Sequence, residues 1–207
     1  MRKRSTNMGL SNNHLGLIFV KNKDPLKLKI CLIGESAVGK TSLIKRYVYD
    51  EFEDKYIVTI GTKVTKKSIE IPNPGNGSSM EVQLLIWDIV GQQNFRQLLK
   101  ESYFYGTQGV IGTCDVTRED TLSEMHNWME MIQRIAKKVP VVFVGNKCDL
   151  SAQQVNLNDI KNFATGYDNS YSLMTSAKTG LNVDNVFDTI SKKIVEDLFE
   201  SGPVEYD

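Results

Sequence analysis

Four apolar residues, Ile30-Cys-Leu-Ile33, run directly into Gly34-Glu-Ser-Ala-Val-Gly39-Lys40-Thr41, and a helical stretch begins at once. The spacing G-x-x-x-x-G-K-[ST] between a strand and a helix is the pattern of a phosphate-binding loop. It constrains the fold strongly. A buried strand must deliver the loop, and glycines must let backbone N–H groups curl around an anion. The helix N-terminus behind them adds the positive end of its dipole. Gly34, Glu35, Ser36, Ala37, Val38, Gly39, Lys40, Thr41 and Ser42 are therefore the candidate phosphate contacts. Lys40 is expected to reach the β and γ phosphates, and the Thr41 hydroxyl to ligate Mg²⁺.

The rest of the chain alternates short apolar strands with longer helical periods. Strands are predicted at Leu26–Ile33, Lys63–Ile71, Val82–Trp87, Gly109–Asp115, Pro140–Val144 and Ser170–Thr175. Helical stretches fall near 39–50, 92–104, 121–138, 156–166 and 182–200, the last behind Asn182 as a candidate N-cap. Strands alternating with helices predict an α/β fold, a mostly parallel sheet with helices on both faces. Only the turn-rich Pro72–Ser79 separates the second and third strands, too little for a crossover helix, so those two form an antiparallel edge pair.

Composition removes several classes. The 207 residues carry 25 basic and 25 acidic side chains, which speaks against a nucleic-acid partner held by phosphate neutralisation. Cys31, Cys114 and Cys148 are widely spaced without a Cys-x-x-Cys pair, the pattern of free thiols in a reducing compartment. No apolar run approaches the roughly 18–20 residues of a membrane span. The expected location is cytoplasmic. Residues 1–26 form a basic N-terminal extension, since seven Lys or Arg and one acid fall within residues 1–29, and are expected to behave as a flexible, solvated tail. Residues 27–200 form the folded domain and 201–207 a short acidic tail.

Three further motifs follow predicted strands. In Trp87-Asp88-Ile-Val-Gly91-Gln92, Asp88 is placed to hold Mg²⁺ through water, Gly91 to donate an N–H to the γ-phosphate, and Gln92 to orient an attacking water. In Asn146-Lys147-Cys148-Asp149, the carboxylate can accept from both N1–H and the exocyclic amine of guanine. Adenine lacks both donors there and would leave the Asp149 charge unpaired. Ser176-Ala177-Lys178 after the sixth strand completes a base pocket.

With these motifs in this order, residues of about 27–200 resemble the Ras-like small GTPases, nearest their Rab branch. The Rab likeness lies in the phosphate loop, Tyr56-Ile-Val-Thr59-Ile-Gly61, Ile86-Trp-Asp88, Gly91-Gln92 and Phe95-Arg96. The resemblance implies a P-loop GTPase fold, six strands with five helices, and a GTP/GDP switch that hydrolyses GTP slowly with Mg²⁺ as cofactor. It implies that Thr59 binds Mg²⁺ and γ-phosphate in the GTP state, and that Phe52 packs against the guanine edge. The Lys147 stem would lie on the base, Asn146 would tie the loops together, and the Ala177 N–H would meet the guanine O6. Catalytic roles fall to Gln92, Lys40 and Thr59, while Arg96 reads as a surface residue, because this class commonly receives its arginine in trans. Implied partners are an exchange factor, an activating protein and effectors, in membrane trafficking or cell organisation.

Departures are equally specific. The first switch reads Ile60-Gly-Thr-Lys-Val64, with Lys63 for an acid and Val64 for an aromatic, and Gln93 follows Gln92 where Glu is usual. The stretch after it runs to Tyr103-Phe-Tyr-Gly106, about one residue late. No cysteine follows Cys148, so no lipid anchor is expected, and any membrane contact would run through a partner or the basic N-terminus. Three alternatives stand beside this resemblance: a nucleotide-binding interaction module with negligible hydrolysis, a P-loop kinase, and the Arf branch. The module is separated by hydrolysis itself, the kinase is opposed by the two base loops, and the Arf branch by Val90 and by Arg at position 2.

Overall fold

The computed structural model describes residues 25–53, 59, 61–91, 103–136 and 138–200. Strand β1 (Leu26–Ile33) leads through the glycine loop into α1 (Lys40–Tyr49), then β2 (Thr62–Pro72), β3 (Ser79–Ile89) and β4 (Gly109–Asp115). There follow α2 (Asp120–Ser123), α3 (Met125–Ala136), β5 (Val141–Asn146), α4 (Leu157–Ala164), β6 (Ser170–Met174) and α5 (Val183–Glu200). The six strands form one sheet in the order β2-β3-β1-β4-β5-β6. All pairings are parallel except β2 with β3, an antiparallel ladder from Thr62↔Ile89 to Pro72↔Ser79. This is the predicted sheet. The edge pair runs past the predicted strand ends because the outer residues of β2 are exposed, so backbone pairing sustains them without apolar side chains.

Alternation within the strands builds two cores. Leu28, Ile30 and Leu32 of β1 face a layer completed by Leu43, Ile44 and Tyr47 of α1 and by Val186, Phe187, Ile190 and Ile194 of α5. Cys31 and Ile33 face the other layer, filled by Met125, Trp128, Met129 and Ile132 of α3 and Ile160 of α4. Helices thus cover both faces, and both buried thiols are small core residues. The α1 face repeats at i, i+3, i+4, i+7 (Lys40, Leu43, Ile44, Tyr47), which carries Lys40 into the interior at the end of an apolar stripe. Tyr47 stacks on Phe187 at 3.9 Å between ring centroids, and Lys67 of the edge pair lies 3.6 Å from the Tyr47 ring centre.

Two local readings change. The single helix expected over 121–138 is two, because at Glu124 the bonding tightens to Asn127 N donating to Glu124 O at 3.1 Å. Asn182 does not cap α5 in the usual way: it sits at φ 56°, its amide donates to Met174 O, and its Oδ1 accepts from Asn185 Nδ2. A regular cap belongs instead to α4, where Asn156 and Asp159 form a capping box. The helical stretch predicted at 92–104 lies almost wholly outside the described residues, as do most of the N-terminal extension and all of 201–207. Among the described residues, no helix is long and apolar enough to cross a membrane.

Candidate functional site

The sheet order reverses at β1, whose neighbours β3 and β4 lie later in the chain. In open α/β sheets, ligands bind in the crevice beyond the strand C-termini at such a switch point. The described parts of the motifs read from the sequence meet here. The loop after β1 ends at Gly39, whose φ of 101° only glycine adopts freely; a Cβ there would lie 2.2 Å from Asn146 Nδ2. Lys40 is 6% exposed, with Nζ donating to Gly34 O at 2.7 Å and Glu35 O at 2.8 Å. Burial pulls its ammonium down to about 8, opposed by the Asp88 carboxylate and assisted by the Arg118 charge. A Cβ on Gly91 would lie 2.5 Å from both Glu35 O and Lys40 Nζ, so that approach requires glycine.

Beside the lysine lies a cluster of oxygens. The Thr41 hydroxyl donates to Asp88 Oδ2 at 2.5 Å and stands 3.0 Å from the Thr59 hydroxyl. Asp88 is 2% exposed, and its Oδ1 is buried with no hydrogen-bond partner among the described residues. Burial raises its carboxyl above the usual range, while the Thr41 bond and the charges of Lys40 and Lys63 oppose the rise. A carboxylate with one oxygen bonded to Thr41 and the other unpartnered among the described residues, with the Thr59 hydroxyl next to Thr41, is a hard-oxygen donor set, the kind Mg²⁺ takes together with water and phosphate oxygens. The residues fit that ion.

The base end is built differently. Asn146, 1% exposed at the tip of β5, donates through Nδ2 to Val38 O at 2.9 Å. Its Oδ1 accepts from the Thr175 hydroxyl at 3.1 Å and from Ala177 N at 3.2 Å. Ser176 donates its hydroxyl to Asp149 Oδ1 at 2.6 Å and accepts from Thr179 N at 3.1 Å. Arg46 of α1 reaches across to Ala177 O at 3.0 Å and Lys178 O at 2.9 Å. Lys147 occupies the left-handed region (φ 68°), and its ammonium meets Asp115 Oδ2 at 2.5 Å. Phe52 is half-buried against the α1 core layer.

The Ras family sequence pattern matches residues 29–196, the span that builds this sheet and every loop at its C-terminal edge. This chain belongs to the Ras family. It is 35% identical over 170 residues to the Ras-related protein Rab-22A of Mus musculus, covering 81% of this chain and 84% of that one. It is 37% identical over 179 residues to the Ras-related protein Rab-1A of Dictyostelium discoideum, covering 86% and 85%. The Ras-related protein RABE1d of Arabidopsis thaliana is 35% identical over 176 residues, covering 84% and 78%. Members of the family are guanine-nucleotide-binding GTP hydrolases, and this chain is a small GTPase of the Rab type.

The structure refines the candidate list in this Ras-family site. The Glu35 carboxylate accepts from Trp128 Nε1 at 3.0 Å, buried under α3, so only its backbone is available to a phosphate. Gln92, Arg96 and the switch residues 54–58 and 60 lie outside the described residues. Asp115, Arg118 and Thr175 were not singled out in the sequence. Asp115 was detectable by the logic that found Asp88, an acid at the C-terminal end of a parallel strand. Arg118 and Thr175 carried no such local signal.

Proposed function

We propose that residues 27–200 work as a Rab-like molecular switch that binds Mg²⁺·GTP, hydrolyses it slowly and changes its surface when the γ-phosphate leaves. The observation that carries this reading is the buried Asp88 carboxylate, whose Oδ2 accepts from Thr41, itself 3.0 Å from Thr59, while its Oδ1 has no partner among the described residues. Backbone N–H groups of Gly34 to Ser42 and of Gly91 cradle the phosphates, and Lys40 neutralises the β and γ oxygens. Thr41, Thr59 and, through water, Asp88 would hold Mg²⁺, which would supply positive charge against the charge that develops on the phosphates. Gln92 orients the attacking water. At the other end, Asp149 accepts the guanine donors, Ala177 N–H meets O6, and Ser176 holds Asp149 in place. Lys147 and Phe52 flank the base, with Asn146 and Lys178 bracing the loops.

Contacts of Thr59 and Gln92 with the γ-phosphate order the two switches, and hydrolysis releases them. Turnover without an activating protein is on the order of 10⁻⁴ to 10⁻³ s⁻¹. An exchange factor, an activating protein and trafficking effectors complete the cycle, with the chain peripheral at a membrane through a partner or its basic N-terminus. The test is single-turnover hydrolysis of loaded GTP by the full chain and by Gln92→Leu. Slow conversion in the first and little in the second is expected. Equal rates refute the role of Gln92, and GTP uncleaved by the unmodified chain makes it a binding module.

A further inference from the structure

Arg118 lies 82 residues from Ser36 in sequence, yet its Nη2 donates to Ser36 O at 2.9 Å. Its Nε stands 3.5 Å from Asp115 Oδ2, an ion pair without a hydrogen bond, on the same oxygen that receives Lys147 Nζ at 2.5 Å. The Asp115 side chain is 3% exposed, and its Oδ1 accepts from Thr117 N at 3.0 Å and the Thr117 hydroxyl at 2.7 Å. Thr121 fixes the turn beneath, accepting from Asp115 N at 2.9 Å and donating to Arg118 O at 2.7 Å. Burial alone would raise the Asp115 carboxyl, but the bonds from Lys147 and Thr117 outweigh it and hold it below the usual range.

We propose that Arg118 and Asp115 are positioning residues, an ionic brace between the phosphate loop and the base loop that sets how long the nucleotide stays bound. The inference rests on the guanine-nucleotide reading above. Its geometry decides what kind of role Arg118 plays. A phosphate loop holds its ligand through N–H groups, and here carbonyls of the loop are taken by cations of the protein, Gly34 O and Glu35 O by Lys40 and Ser36 O by Arg118. Arg118 is engaged by a loop carbonyl and by Asp115, so it acts by holding the loop. Asp115 then joins it to Lys147, one residue after Asn146, whose amide already holds Val38 of the phosphate loop. Release of a nucleotide requires these two loops to part. The brace resists that separation with a buried carboxylate between two cations, and removing one partner of such a group is costly. The planar fork of arginine suits a residue that must meet a carbonyl and a carboxylate at once, which the point charge of lysine does poorly.

The test loads the full chain with fluorescent GDP and follows release into excess unlabelled GDP with Mg²⁺ present. Arg118→Gln and Asp115→Asn should each speed release about tenfold, the order of one charge-assisted hydrogen bond. Combined, they should release no faster than the quicker single variant within about twofold, because they break one chain of contacts. Arg118→Lys should not restore slow release. Single-turnover GTP hydrolysis by Arg118→Gln should stay within about twofold of the unmodified chain, since a guanidinium engaged by Ser36 O and Asp115 positions the loop and does not stabilise transferred charge. If Asp115→Asn fails to fold, the two Arg118 variants decide the matter. An unchanged release rate in Arg118→Gln, multiplied effects in the double variant, or a tenfold loss of hydrolysis overturns the brace. An unmodified chain that binds no GDP overturns the nucleotide reading and the brace with it; one that binds GDP while Arg118→Gln releases it normally overturns the brace alone.

Discussion

The two ends of the site lie along the C-terminal edge of one sheet but differ in what they lack. At the base end, the polar groups of Asn146, Thr175, Ser176, Ala177 and Asp149 satisfy one another within the protein. At the cation end, the Thr41 hydroxyl meets both Thr59 and the Asp88 carboxylate, which keeps one buried oxygen unpartnered among the described residues. A buried polar group without a partner costs free energy, so the cation end is most stable when something binds there. The difference matches a switch: a pre-organised end that selects the ligand, and an unfinished end whose geometry depends on it.

The largest test of that contrast is Asp149→Asn. A neutral amide cannot accept from both guanine donors, so the preference for GTP over ATP should fall by about 10³-fold or more, read from competition binding. An unchanged preference would remove Asp149 from base recognition. Next, Asn146→Ala deletes the amide that closes the base end. It strands Val38 O, the Thr175 hydroxyl and Ala177 N–H, and urea unfolding should show a loss of about 2–4 kcal/mol. A loss under half a kcal/mol would mean water replaces those bonds readily.

Asp88→Asn is the matching change at the other end and should behave oppositely. Without nucleotide and in chelator, removing a buried charge with an unpartnered oxygen should leave the fold about 1 kcal/mol more stable. The same variant should lose the dependence of GDP binding on Mg²⁺. Destabilisation as large as that of Asn146→Ala would erase the contrast. The smallest effect is acid sensitivity at the brace. Asp115 is held below the ordinary carboxyl range, so its contribution is present above about pH 4 and disappears as pH falls through its lowered value. The drop in unfolding free energy from pH 7 to pH 3 should therefore be smaller in Asp115→Asn.

Most of this site was legible because its residues sit at fixed offsets from apolar strands. Asp88 and Asn146 stand where a strand ends and Lys40 opens the helix that follows one, and a mostly parallel sheet brings such ends together whatever the intervening length. Pairings that depend on tertiary distance left no local trace. Glu35 looks like any loop residue until Trp128, 93 positions later, packs over it, and Arg118 reads as a surface charge until β4 sets it beside Ser36. The break at Glu124 escaped periodicity because apolar residues continue on the same face through Met125 and Trp128. The long β2–β3 ladder escaped it for the converse reason: its outer pairs are held by backbone bonds, with polar residues such as Ser68, Glu70 and Glu81 in register.

The most direct measurement compares release of fluorescent GDP from the purified full chain in saturating Mg²⁺ and in excess chelator. If the cation end is completed by a ligated ion, release should be faster in chelator by about tenfold or more, as expected when a metal bridging phosphate and protein is withdrawn. Equal rates in the two conditions would contradict the account, because Asp88, Thr41 and Thr59 would then hold nothing on which nucleotide retention depends.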